Sequence, residues 1–174
     1  MLTYLLNSKN WLPFIVIVWL LGGCATPQNA EEFRQWTSDS PFKLLETYEV
    51  ARPFQDVSST LRKKAKECLA ITINWTIDYG ILHPNRKGID TYKPTFIANP
   101  KRAELHVQLN RSAVTAIGSP PDGPYRVVLD AAPIAKDRTR IDTYVLSNTD
   151  DGLIRKAMRG WVSGDNLGCP DLTK

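Results

Sequence analysis

Histidine is nearly absent from this chain: His83 and His106 are the only two in 174 residues. That scarcity removes most zinc sites and most imidazole-based proton relays. The sequence holds no Gly-x-Ser-x-Gly elbow, no His-Glu-x-x-His pair, no P-loop and no dinucleotide-binding glycine motif. Cysteine occurs three times, at Cys24, Cys68 and Cys169, and never as Cys-x-x-Cys, which argues against thiol exchange as an activity. No apolar run reaches the roughly twenty residues that span a bilayer. Charge of either sign is moderate, with 22 Lys and Arg against 18 Asp and Glu and a net charge of +4. A nucleic-acid partner, which needs an extended basic surface, is not expected. Neither a cofactor nor a metal is expected, and no catalytic residues stand out.

What is present begins at the N-terminus. Residues 1–10 are mixed, with Lys9 their only charged side chain, and residues 11–21 are apolar with one break at Pro13. This is the layout of a secretory signal, too short for a comfortable span. An uncleaved anchor helix is the alternative, weakened by its length and by Pro13, and a plain cleaved signal is another. The run ends in Leu21-Gly22-Gly23-Cys24-Ala25, which resembles the lipobox of bacterial lipoproteins. That resemblance implies a signal peptide over 1–23, removed before Cys24, and diacylglycerol with a further acyl chain (palmitate or similar) on Cys24. Each buried methylene adds about 0.8 kcal/mol, so several chains give durable anchoring. Ala25 is not acidic, so the resemblance implies an outer-membrane destination with the domain facing the periplasm.

Removing residues 1–23 takes only Lys9 from the charge count, which leaves about +3. About 150 residues are enough for one domain with a real core. In an oxidising compartment the two remaining cysteines are most simply a Cys68–Cys169 disulfide. Free thiols are a weaker reading, and metal ligation by two distant cysteines without a nearby histidine weaker still.

The sequence divides into a signal at 1–23, a lipidated N-terminus and tether at 24–41, and one domain at 42–174. Phe33 and Trp36 in the tether can dock on the domain or at the bilayer interface. Phe42 to Val50 reads as a first strand. Pro53 suits the first turn of a helix that carries Phe54, Val57, Leu61, Ala65 and Cys68 at helical spacing. Leu69 to Ile77 then alternates as a strand. Residues 83–101, with Pro84, Pro94 and Pro100, read as a long connection. Ala103 to Leu109 is a second alternating strand, with His106 on its polar, exposed side. A turn cluster occupies 118–124. Further strands follow at Tyr125 to Ala131 and Thr139 to Ser147, joined by a loop over 132–138. A last helix, capped at Asn148, Thr149 or Asp150, carries Leu153, Ile154, Ala157, Met158 and Trp161 on one stripe, with Arg155, Lys156 and Arg159 outward.

The expected fold is α+β: an antiparallel sheet of four to five strands covered on one face by two helices. The element order over 42–169 resembles the helix-grip or TATA-binding-protein-like domains of several envelope lipoproteins. Trp75 and Trp161 are expected in the core, and Asp130, Asp137 and Asp142 in surface ion pairs with Arg138 and Arg140. The candidate contact surface is Tyr79, Tyr92 and Phe96 with the basic residues Arg62, Lys63 and Lys66. The expected role is a membrane-anchored, non-catalytic interaction or assembly factor whose partner is an envelope protein or lies near peptidoglycan. A small-ligand or lipid-binding module is the second reading, and an envelope hydrolase using His83 with a carboxylate the third.

Overall fold

In a computed structural model that describes residues 26–39, 44–78, 85–112, 118–145, 149–165 and 167–173, three helices pack on a six-stranded sheet. The elements, in chain order, are α1 (Ala30–Ser38), β1 (Leu44–Val50), α2 (Phe54–Lys64) with a π-helical turn (Ala65–Leu69), and β2 (Thr72–Ile77). They continue with β3 (Arg86–Asn99), β4 (Arg102–Arg111), β5 (Tyr125–Ala135), β6 (Arg138–Val145) and α3 (Thr149–Ser163). Every neighbouring pair is antiparallel, and the strand order is β1-β6-β5-β4-β3-β2. The first two strands therefore lie at opposite edges. The chain crosses the whole sheet between them through α2 and the π-helical turn.

The two amphipathic helices cover one face, as their spacing dictates. Val57, Leu61, Ala65, Cys68 and Leu69 come from α2 and its π-helical turn, and Ile154, Ala157, Met158, Trp161 and Val162 from α3. They meet Leu105, Val107, Leu109, Val127, Leu129 and Ile141 of the central strands, all essentially inaccessible to solvent. A β-bulge between β4 and β5 puts both Arg126 and Val127 on this side. Arg126 can therefore donate to buried Asp151 in the first turn of α3, at 2.8 Å. At the far end of α3, the Arg52 guanidinium donates to the carbonyls of Trp161 and Val162, and Gly164 turns the chain at φ +89°. Cys68 and Cys169 form a disulfide that pins the C-terminal segment to the end of α2, and Leu172 enters the core beyond it.

Three features differ from the reading of the sequence. The sheet has six strands rather than four or five. The extra one, β3, runs through the stretch read as a connection and includes Pro94. Tyr92 donates its N–H toward β2, to the Ile71 carbonyl at 2.9 Å, so by alternation the Pro94 nitrogen faces the same side. There β2 has already ended, and proline loses no ladder bond. Likewise β5 continues to Ala135, past the last β4 partner and a bulge beside Pro133, which shortens the expected 132–138 loop to a tight turn. Finally, the sheet is covered on both faces. Part of the expected tether is α1, which packs Phe33 and Ala30 against Val128, Tyr125 and Tyr144 on the face opposite the core helices.

Candidate functional site

Of the contact residues singled out from the sequence, Arg62, Lys63, Lys66, Tyr92 and Phe96 line a trough at one sheet edge. Its wall is the exposed flank of α2 and its floor is the part of β3 that outruns β2. Two connected clefts of about 620 and 610 Å³ form it. Phe54, Gln55, Ser58, Ser59 and Lys63 line the first with Ala98, Asn99 and Pro100. Lys93, Pro94, Thr95 and Phe96 line the second, and Arg62 and Lys66 line both. Arg62 divides the trough, with its guanidinium 5.2 Å from the centre of the Phe96 ring. Among the described residues, three cations and no acid line the first cleft. In the second, Lys93 is paired with Asp122 at 2.5 Å.

Helical geometry explains this placement. Val57, Leu61 and Ala65 commit one side of α2 to the core, which turns Arg62, Lys63 and Lys66 to solvent, and Lys63 reaches Glu67 only loosely at 4.0 Å. Phe96 is half-buried against the core. Tyr92 lines the trough, but only 3% of it is exposed, so the sequence reading of it as an exposed aromatic is corrected. Its position on the inner side of β3 puts it under α2 and the π-helical turn. Tyr79, His83 and Cys24 lie outside the described residues.

A second polar constellation, absent from the sequence reading, sits beneath α1 on the other face. Ala30, Phe33, Arg34 and Thr37 form the buried stripe of this helix. Asn29 caps it by accepting from the Glu32 N–H at 2.9 Å, while its side-chain amide donates to Glu32. Arg34 donates from Nε and Nη2 to both oxygens of Asp130, and it also pairs with Glu104. Arg102 bonds the same two carboxylates at 2.7 and 2.9 Å. His106 contacts Glu104 and lies beside Tyr125. Burial, reinforced by the Arg34 and Arg102 charges, lowers its imidazole from 6.5 to about 4. At neutral pH it is uncharged.

This cluster corrects two expectations. His106 is buried rather than exposed, because α1 roofs the polar side of β4. Asp130 belongs to a buried network, whereas Asp142 keeps to the surface with Arg140 and Thr47. On α3, the outward-facing Arg155 and Arg159 both reach Glu46 on β1, and Arg159 stacks 4.9 Å over Tyr48. Burial pushes the Tyr48 hydroxyl up to about 12. Trp161 is in the core as expected. Trp75 is half-buried, donating to Asp90 at 2.9 Å and packing over Gly88.

No family model matches this chain, and no curated protein does. Among solved structures it is similar to a hypothetical protein from Helicobacter pylori, jhp0584, at 12% identity and a TM-score of 0.40. That likeness covers 81% of this chain and 98% of the other. It is also similar to norcoclaurine synthase from Thalictrum flavum, at 14% identity and a TM-score of 0.28, covering 81% of this chain and 93% of that one. Both superpositions are loose, and neither bears on function.

Proposed function

We propose that this protein is an acyl-anchored envelope lipoprotein whose domain, helix-grip-like in its element order, works by surface contact rather than by catalysis. The carrying observation is the trough: Arg62, Lys63, Lys66 and Phe96 meet there on rigid elements beside an open cleft. The Leu21-Gly22-Gly23-Cys24 sequence supports anchoring, and the Cys68–Cys169 disulfide suits an exported chain. The second reading, a small-ligand or lipid module, needs space between helices and sheet. Leu61, Ile154, Met158 and Trp161 fill that space.

The test is metabolic labelling with an acyl precursor in a bacterial host, followed by fractionation. The intact protein should carry label and sediment with outer membranes, and Cys24→Ser should lose both. In parallel, crosslinking of the lipidated protein in intact envelopes should trap a reproducible protein partner. Unlabelled protein in the soluble fraction would sink the anchor, and absence of any partner would sink the contact role.

A further inference from the structure

The trough offers more than charge. Alternation along β3 sends the backbone of Tyr92, Pro94, Phe96 and Ala98 to the side on which β2 lies. The last β2 pair is Thr72 with Thr91, and the Tyr92–Ile71 bond closes the ladder. Beyond it, β3 pairs with β4 alone as far as Asn99 with Arg102. Among the described residues no backbone group pairs with the N–H and carbonyl of Phe96 or of Ala98 on the open side. An unpaired edge invites another strand, and folds usually blunt it with charge or proline. Pro94 blunts only the entry of this one, and the lysines and Arg62 stand on the wall above.

We infer that the β3 edge from Pro94 to Ala98 is a strand-addition site for an extended, acidic peptide segment of a protein partner. This deepens the contact role proposed above and rests on it. The incoming strand lies in the lane that β2 vacates at Ile71, about 4.8 Å from β3. It exchanges main-chain hydrogen bonds with Phe96 and Ala98. Main-chain pairing of this kind supplies affinity, and alternate side chains supply specificity. Its alternate side chains point toward α2, where Arg62, Lys63 and Lys66 favour carboxylates, and the side chains between them face the other way. Lys93 is already committed to Asp122, so the selecting charges are those of α2.

The experiment uses the purified protein and three short acetylated peptides. One alternates glutamate with valine, one replaces the glutamates by lysine, and one is the acidic peptide N-methylated at every residue, which removes the donors of both its edges. The acidic peptide should bind and slow hydrogen exchange at the Phe96 and Ala98 amides. The lysine and N-methylated peptides should bind at least about tenfold more weakly, and so should the acidic peptide to Arg62→Glu/Lys66→Glu. Both substituted residues are exposed, and an unchanged near-ultraviolet circular dichroism spectrum shows that the variant is folded. Equal binding of the N-methylated peptide, or unchanged exchange at Phe96 and Ala98, overturns the edge site. So does binding to anionic lipid vesicles that the acidic peptide cannot displace. An envelope partner whose crosslinks map away from 93–99 overturns the edge site while leaving the contact role standing. The absence of any partner overturns both.

Discussion

Arg34 and Asp130, separated by 96 positions in the sequence, meet in a two-point pair with donor distances of 2.8 and 2.9 Å. Both are nearly buried, one on α1 and the other on the central strand β5. A planar guanidinium matches a carboxylate at two points, which fixes orientation as well as charge. This contact, with Phe33 beside it, sets α1 on the outer face.

Replacing Arg34 by Met keeps much of the stem but leaves two nearly buried carboxylates to Arg102. Removing one partner of a buried pair costs about 3–5 kcal/mol. Arg102 still holds both acids, so a loss of about 2–4 kcal/mol is expected in urea denaturation. Glu31→Ala, which removes only the exposed partner of Arg34, should cost less than about 1 kcal/mol. Equal effects would show that the buried pair does not hold α1.

The His106 environment makes stability pH-dependent in a defined window. Unfolded, the imidazole takes up a proton near 6.5; folded, it does so only near 4. Between those values the unfolded chain binds more protons, so stability falls as pH drops from 6.5 toward 4. Above 6.5 the side chain contributes no slope. His106→Gln should flatten the curve in that window relative to the parent, as measured by urea titrations at stepped pH. A variant curve parallel to the parent's would refute the assignment.

The disulfide closes a span of 101 residues. Cys68→Ser/Cys169→Ser should lower stability by about 2–4 kcal/mol. Intact mass should rise by two hydrogens when the parent is reduced and stay constant in the variant. A parent whose mass does not change on reduction contradicts the bond.

Two glycines in the 118–124 loop share a positive φ but not an environment. Gly118, at +82°, has open space where a Cβ would stand, whereas at Gly123, at +87°, a Cβ would overlap the backbone carbonyl of Leu109. Gly118→Ala carries only the left-handed penalty of about 1–2 kcal/mol. Gly123→Ala adds a clash that backbone must absorb and should cost about 1–3 kcal/mol more. Thermal denaturation of the pair checks the ordering.

The elements legible in the sequence were those with one wet and one dry side. The stripe from Val57 to Cys68 and the alternation from Ala103 to Leu109 announced α2 and β4, and the even pair of remaining cysteines announced the disulfide. Prolines hid β3 and the end of β5, since a residue that breaks a central ladder is harmless where the neighbouring strand has stopped. Alternation along β4 placed His106 and Glu104 correctly on the side away from the core. What it could not show is that a second layer lies there. The signal for α1 was present in Asn29 and Glu32 as a capping pair, with Phe33, Arg34 and Thr37 at helical spacing. Arg62, Lys63 and Lys66 were legible as a charged flank, but their closeness to Phe96 depends on a strand crossing that only the fold supplies.

The docking of α1 shortens the leash. Were residues 24–41 all slack, the domain could stand roughly 60 Å from its anchor, at about 3.3–3.6 Å per extended residue. With α1 starting at Ala30 and held by Arg34, five residues lie between Cys24 and the helix, a reach of roughly 20 Å. If Cys24 is acylated as proposed, a leash of that length keeps the domain close to the bilayer. Under the same proposal, a partner meets the domain within that distance of the bilayer.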